Sequence, residues 1–435
     1  MLQPISVFWF RRDLRLHDNA GLFHALKSAD KVLPVFIFDT EILDQLEDKS
    51  DIRVHFIHQA LHRIQSKLSE LGSTLIVKYG KPENVWNDLL LEYNIKSVFT
   101  NHDYEPYAKE RDELIRSLLF SKGIIFQTFK DQVIFEKEEL LKDDGTPYVV
   151  WTPYSRKWKE KLNNFYLESY PVKKYEGNYL SKSPVSIPEL KDMGFEKTDA
   201  QFPPDFVDDD LILNYYKTRD IPGINGTSRL SVHLRFGTIS IRELTRHAKS
   251  LSEKFLNELI WREFYQMILW HFPQVIHHSF RREYDLIAWR NNETEFEKWC
   301  NGETGFPIVD AGMRELNATG FMHNRVRMIA AGFLTKDLLI DWGWGEAYFA
   351  KKLLDYDLAS NNGGWQWAAG TGVDAAPYFR IFNPTEQAKK FDPEFNYIRK
   401  WVPEFTELTY PLPMLDHKQA RERTLHAYKV ALKRS

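Results

Sequence analysis

Apolar residues follow two different rhythms along this chain. In its first third, short continuous runs alternate with longer amphipathic stretches. Ser6–Phe10, Lys31–Phe38, Thr74–Val77, Ser97–Thr100 and Ile124–Phe129 are compact apolar runs of strand length. The residues from Asn19 onward, Ile52–Leu71, Pro82–Leu91 and Lys109–Phe120 read as helices. In Ile52–Leu71, Phe56, Ala60, Leu61, Ile64 and Leu68 fall on one side. Strands alternating with helices predict an α/β domain with a doubly wound parallel sheet. Its functional loops, 11–18 and 101–107, should lie at one rim, beyond the carboxyl ends of the strands. No glycine-rich dinucleotide fingerprint follows the first strand, which argues against an ordinary nicotinamide enzyme. From about residue 135 to 210 the rhythm breaks. Lys173-Lys174, scattered Pro and Ser, and Pro203-Pro204 mark a connector. From Leu211 helical spacing dominates. The expected organisation is therefore an α/β domain (1–134), a connector (135–210) and a large all-α domain (211–435).

Composition narrows this picture. A chain of 435 residues with 43% hydrophobic content suits two or three domains with sizeable cores. Thirteen Trp residues fit either an aromatic core or stacking and electron relay. The net charge of −3 gives no whole-chain basic signal, so nucleic-acid binding would need a local cationic face. The single cysteine, Cys300, excludes a disulfide framework and a cysteine-based zinc site, and fits a reducing cytosol. The first residues have no basic flank leading into an apolar run, so no signal peptide is expected. No run reaches membrane-spanning length. A cytoplasmic monomer is the expectation.

Chemistry concentrates in the second half. Asp355-Tyr356-Asp357 leads into Asn361-Asn362-Gly363-Gly364-Trp365-Gln366-Trp367. The doubled glycine permits close backbone approach, or marks a tight turn before two packed aromatics. Trp365 and Trp367 cannot share a helix face. A buried run this polar needs partners, which a polar planar cofactor would supply. Gly226-Thr227-Ser228 reads as a helix start, either a plain cap or a phosphate cradle. Glu258, Trp261, Arg262 and Tyr265 fall at i, i+3, i+4 and i+7, on one helix face. Leu256, Leu259, Ile260 and Phe264 suit the core side. That polar and aromatic face lines a cavity or forms a solvated ion-paired surface. In Met322-His323-Asn324-Arg325-Val326-Arg327-Met328, the two arginines must serve different surfaces, and Met328 stands one turn from Asn324.

These segments, with Tyr378-Phe379-Arg380 and the opening Trp9-Phe10-Arg11-Arg12-Asp13, resemble the photolyase/cryptochrome family over most of the chain. Glu258 with Trp261, Met-His-Asn-Arg and Trp-Gln-Trp look most like class I cyclobutane pyrimidine dimer photolyases. The (6-4) members place histidine where this chain has Asn324 and Met328. The resemblance implies FAD bound in the helical domain. Tyr215, Thr227, Ser228, Arg229, Leu230, Ser231, Phe255, Arg262, Tyr356 and Asp357 would contact it. Arg327 would pair with Asp355 beside it, and Asn361 would face its N5.

It implies further that DNA containing pyrimidine dimers is the partner. Trp261 and Trp367 would sandwich a flipped-out dimer, Glu258 would hydrogen-bond it, Asn324 and Met328 would complete the pocket, and Tyr265 would contact the DNA. Arg219, Arg325 and Arg380 would meet DNA. Trp289, Trp342 and Trp365 match the family's electron-relay chain. The second, antenna chromophore stays open between a deazaflavin, a folate and none. The competing reading is a cryptochrome-like light receptor that binds FAD without repairing DNA.

Overall fold

Near-continuous burial in the N-terminal strands is what a sheet covered on both faces requires. In the computed structural model, which describes residues 3–434 apart from residue 29, β1 (Pro4–Phe10) is buried at every position after Pro4. It lies between β2 (Lys31–Asp39) and β4 (Asn94–Asn101), with β3 (Ile76–Gly80) and β5 (Ile125–Phe129) outside them. All four pairings are parallel, in the order β3-β2-β1-β4-β5. Parallel neighbours need crossovers. Helices α1 (Ala20–Lys27), α2 (Ile52–Glu70), α3 (Pro82–Glu92) and α4 (Pro106–Ser121) supply them.

Local signals set these helix starts. The Asn19 and Asp51 side chains accept from Leu22 N–H and Arg53 N–H, and Pro82 and Pro106 open their helices. Tyr107, expected in a rim loop, therefore sits in the first turn of α4. At Gly21 a Cβ would lie 2.9 Å from both Asn101 Oδ1 and the Phe8 ring, so only glycine admits that approach.

The chain forms two compact units that interleave in sequence. One comprises Met1–Glu136, Lys161–Phe206 and Arg229–Ser250; the other Lys137–Glu160, Val207–Ser228 and Leu251–Ser435. The first contains a buried charge cluster. Arg15 and Arg242 meet Asp131 at 2.7 and 2.9 Å, and Arg242 also reaches Asp18. Burial alone would raise Asp131, but the two guanidiniums outweigh it and hold its carboxyl low.

The second unit is helical. Among its helices are α5 (Trp151–Lys161), α6 (Asp209–Thr218), α7 (Glu253–His271), α8 (Asn324–Gly332), α9 (Trp342–Lys352), α10 (Leu358–Ala369) and α11 (His417–Arg434). Trp299, Phe333, Trp342, Phe349 and Trp365 belong to its core. α11 closes that core: the Tyr428 hydroxyl donates to the Ala369 carbonyl and His417 bonds Asp337.

Two local expectations change. The helix expected from Thr227 begins only at Ser231, because Arg229 adopts a left-handed backbone (φ 53°), and neither Thr227 nor Ser228 caps it. The Gly363-Gly364 doublet is no turn; it lies inside α10.

Candidate active site

The face of α7 is divided as its spacing predicts. Phe255, Leu256, Leu259, Ile260 and Phe264 are buried, while Glu258, Trp261, Arg262 and Tyr265 are half-buried on one side. Arg219, at the end of α6, donates to Glu258 and lies 5.3 Å over the Tyr215 ring. Tyr215 in turn meets Phe255 edge-on at 5.2 Å. Asp220 lies 3.9 Å from Arg219 and accepts from Arg325 at 2.7 Å. Glu258, Arg219, Asp220 and Arg325 thus form a chain of alternating charge. Burial raises the Glu258 carboxyl above the ordinary glutamate value, against the pull of Arg219. Arg325 also stacks 4.2 Å over Phe391 and approaches Met328 Sδ at 3.7 Å. Asn324, the first residue of α8, is exposed beside them in sequence.

Aromatic contacts hold the rest of the face. Trp261 stacks on Trp151 with ring centroids 4.8 Å apart and planes at 5°, and lies 5.5 Å from Tyr265. Tyr265 occupies the space a Cβ on Gly363 would need, 2.2 Å from its ring. Close approach of α7 to α10 is therefore the use of that glycine. On α10, Trp365 is buried and Trp367 half-buried. Trp365 lies over Gly345 and meets Phe349 at 4.9 Å and Trp299 at 6.0 Å. Trp342 is buried, and half-buried Trp289 lies 6.0 Å from Tyr428.

The polar run on α10 does have the partners its burial requires, and most of them lie within the protein. Gln366 donates to the carbonyls of Val275 and His278 and accepts from Phe280 N–H; Asn362 donates to Val275 O and Glu346 Oε1. Asp357 caps the helix by accepting from Ser360 N–H. Asn361 is the exception. Its amide nitrogen donates to the Glu346 carbonyl at 3.1 Å, which leaves the carboxamide oxygen for a ligand. The expected pair is present: Arg327 reaches both oxygens of Asp355 at 3.1 and 3.0 Å and donates to the Met322 carbonyl. An acid neutralised in place and a carboxamide oxygen left available suit a neutral, hydrogen-bonding ring system, so these residues fit a flavin.

The other expected residues are spread more widely. Thr227 and Ser228 are half-buried at the end of the Val207–Ser228 segment, and Arg229 and Ser231 are exposed around buried Leu230. Tyr356 is half-buried next to Asp355. Arg380 is exposed, with its carbonyl held by the buried Lys336 ammonium at 3.0 Å. Asp220, Trp151 and Glu346 were not singled out from sequence. Asp220 adjoins Arg219, itself an expected DNA contact, so its neighbour was the available signal; the other two show none.

Glu346 carries a measurable consequence. Burial pushes its carboxyl up to about 7, with Asn362 opposing and Asp341 adding to the rise. Its folded value lies above its unfolded one, so its contribution to stability is full below about pH 4.5 and lost as pH rises towards 7. Glu346→Gln should flatten the fall in melting temperature between pH 5 and 7.5; an unchanged slope would remove Glu346 as its source.

Fold and site together define a class, a flavoprotein of photolyase/cryptochrome type. Residues 6–174 match the DNA photolyase family, and residues 255–409 match the FAD binding domain of DNA photolyase. A deoxyribodipyrimidine photo-lyase of Halobacterium salinarum is 36% identical, over 98% of this chain and 99% of its own. The crystal structure of a bacterial class III photolyase from Agrobacterium tumefaciens superposes with a TM-score of 0.87 at 33% identity, covering 100% of this chain and 98% of that one. An archaeal photolyase from Sulfolobus tokodaii, solved with two FAD molecules, gives 0.82 at 37% identity over 98% and 99%. The chain belongs to the DNA photolyase family.

Proposed function

We propose that the protein is a deoxyribodipyrimidine photo-lyase, which uses light to split cyclobutane pyrimidine dimers in DNA. The observation that carries this reading is the α7 face, where Glu258 and Trp261 stand half-buried beside the cations Arg219 and Arg325. That constellation favours repair over a light receptor without repair activity. In this reading 1–134 is the antenna domain, 135–210 the connector and 211–435 the helical FAD- and DNA-binding domain, with 137–160 grouping with the second compact unit and 161–206 and 229–250 with the first. The protein acts as a monomer in the cytoplasm, with the DNA. Among the described residues, no helix is long and apolar enough to cross a membrane.

FAD would be held by Tyr215, Thr227, Ser228, Phe255, Arg262, Arg327, Asp355, Tyr356, Asp357 and Asn361, with Arg229, Leu230 and Ser231 continuing the Thr227-Ser228 stretch. Bound there, it supplies the light-absorbing electron donor. The protein's own residues do the rest. Arg327 keeps Asp355 neutralised, and Asn361 offers its oxygen while its amide nitrogen is tied to Glu346. Trp289, Trp342 and Trp365 would serve as the electron relay from the surface. Flipping the dimer out of the duplex costs a few kcal/mol. Trp261 and Trp367 recover part of that cost by stacking. Tyr265, Asn324 and Met328 shape the pocket, and Glu258 bonds the pyrimidine edge. The antenna chromophore stays open, and the second FAD of the Sulfolobus tokodaii relative adds a flavin to the candidates.

Incubating the purified protein with a dimer-containing oligonucleotide under blue light and in darkness tests the reading. Intact pyrimidines should appear only in the light. Dimers that persist in both arms, with FAD bound, would favour the receptor reading.

DNA affinity should also fall steeply with salt as phosphate contacts release counterions. Arg380→Ala should weaken damaged and undamaged DNA alike and reduce the salt slope by about one. A loss confined to damaged DNA would contradict a phosphate role.

A further inference from the structure

We infer that Trp151 is a positioning residue of the lesion pocket that acts through Trp261. The inference rests on the proposal above that Trp261 stacks on the flipped pyrimidine. Three side chains of α5, Trp151, Tyr154 and Trp158, recur at i, i+3 and i+7 and so share a face. That face lies along α7. The Trp158 Nε1–H donates to Glu263 Oε1 at 2.6 Å and the Tyr154 hydroxyl to the same oxygen at 3.3 Å. The Tyr154 ring also packs on Phe264 at 5.1 Å. Tyr154, Trp158 and Glu263 are all buried, so these bonds fix the position of α5 against α7. The next contact along the same line is the parallel stack of Trp151 on Trp261.

A second anchor holds Trp151 from the far end of the chain. Its backbone N–H, in the first turn of α5, would lack a helical partner. Asp374 Oδ2 accepts from it at 3.0 Å. Asp374 itself has a left-handed backbone (φ 44°), a conformation that persists in a non-glycine residue only where its surroundings hold it. Asp374 precedes Tyr378-Phe379-Arg380 in the same loop, so one carboxylate ties that loop to the stack.

The consequence for binding is specific. One face of Trp261 is already covered by an indole, so a base can stack only on the other face. The stack biases the ring towards one rotamer. Its side-chain freedom is spent before DNA arrives, and preorganisation of this kind appears as affinity. Trp151 acts only through Trp261, touching neither the base nor FAD. Its effect should be confined to DNA that presents a flipped dimer, and should vanish when Trp261 is absent.

Equilibrium binding in the dark, with FAD-loaded protein and duplexes with and without a dimer, tests this. Trp151→Ala should lower affinity for dimer-containing DNA by about three- to tenfold and leave undamaged DNA unchanged. Trp151→Phe should restore most of the loss, because a ring again covers Trp261. Trp151→Ala placed on Trp261→Ala should have no further effect, since the two residues act as one unit. Trp151→Leu keeps apolar volume without a flat ring and serves in place of the alanine variant if that one does not fold. An effect equal on both DNAs, or one that persists without Trp261, would overturn the inference. So would an unchanged affinity in Trp151→Leu and Trp151→Ala while Trp261→Ala is impaired. If Trp261→Ala alone leaves dimer affinity intact, the pocket proposed above fails instead.

Discussion

Replacing Arg327 by methionine should strip FAD from the protein and lower the stability of the flavin-free chain by about 3 kcal/mol. The size follows from what is left behind. Asp355 would lose its guanidinium partner where little water can replace it, since its side chain is only 9% exposed. The Met322 carbonyl would lose its donor as well. Removing one partner of a buried pair costs about 3–5 kcal/mol, and the partial exposure of Arg327 places the effect at the low end. Adding Asp355→Asn should recover part of the stability, because no charge is then stranded, but should not recover FAD. Denaturant unfolding of the flavin-free chains and flavin absorbance after gel filtration read the two effects separately. If Arg327→Met unfolds at the wild-type midpoint and keeps its flavin, the pair has no such role.

The parts of this molecule that sequence periodicity reveals are those whose partners lie within one turn or one strand. The five strands read as strands because both faces of a parallel sheet are buried, so their apolar runs are unbroken. The α7 face was legible because Glu258, Trp261, Arg262 and Tyr265 are spaced by the helix itself. What stayed hidden comes from far along the chain. Trp151 reaches Trp261 across more than a hundred residues, and Glu346 meets Asn362 from another helix. No local rhythm encodes either contact. The doubled glycine reads as a break because each glycine costs a helix about 1 kcal/mol. Packing of Tyr265 against Gly363 outweighs that cost. Thr227-Ser228 reads as a cap because its composition suits one. The left-handed backbone at Arg229 delays the helix, and composition at Thr227 and Ser228 carries no sign of it. The polar run on α10 suggested a cofactor by its lack of partners; loop carbonyls and Glu346 satisfy most of it, leaving only the Asn361 oxygen.

Trp261→Ala and Glu258→Ala should separate binding from chemistry. Stacking on an aromatic ring is worth about 1–3 kcal/mol per base, so Trp261→Ala should weaken dimer-containing DNA by about 5- to 150-fold. Undamaged duplex presents no flipped base and should bind as before. Glu258 should behave differently. In the free protein its carboxylate accepts from Arg219, and burial raises its pKa above the ordinary glutamate value, which eases protonation once a pyrimidine takes that partner's place. A protonated Glu258 donates to a pyrimidine oxygen, and that bond strengthens when the pyrimidine takes up negative charge. An interaction stronger in the reacting state than in the bound ground state raises the rate more than the affinity. A bare carboxylate in the same place would repel that charge. Glu258→Ala should therefore lower the repair yield per absorbed photon several-fold, with dimer affinity changed by less than about threefold. Glu258→Gln, which can donate without ionising, should recover much of the yield and remove its decline at alkaline pH. A yield unchanged by Glu258→Ala, or an affinity unchanged by Trp261→Ala, would place the pocket on the wrong face of α7.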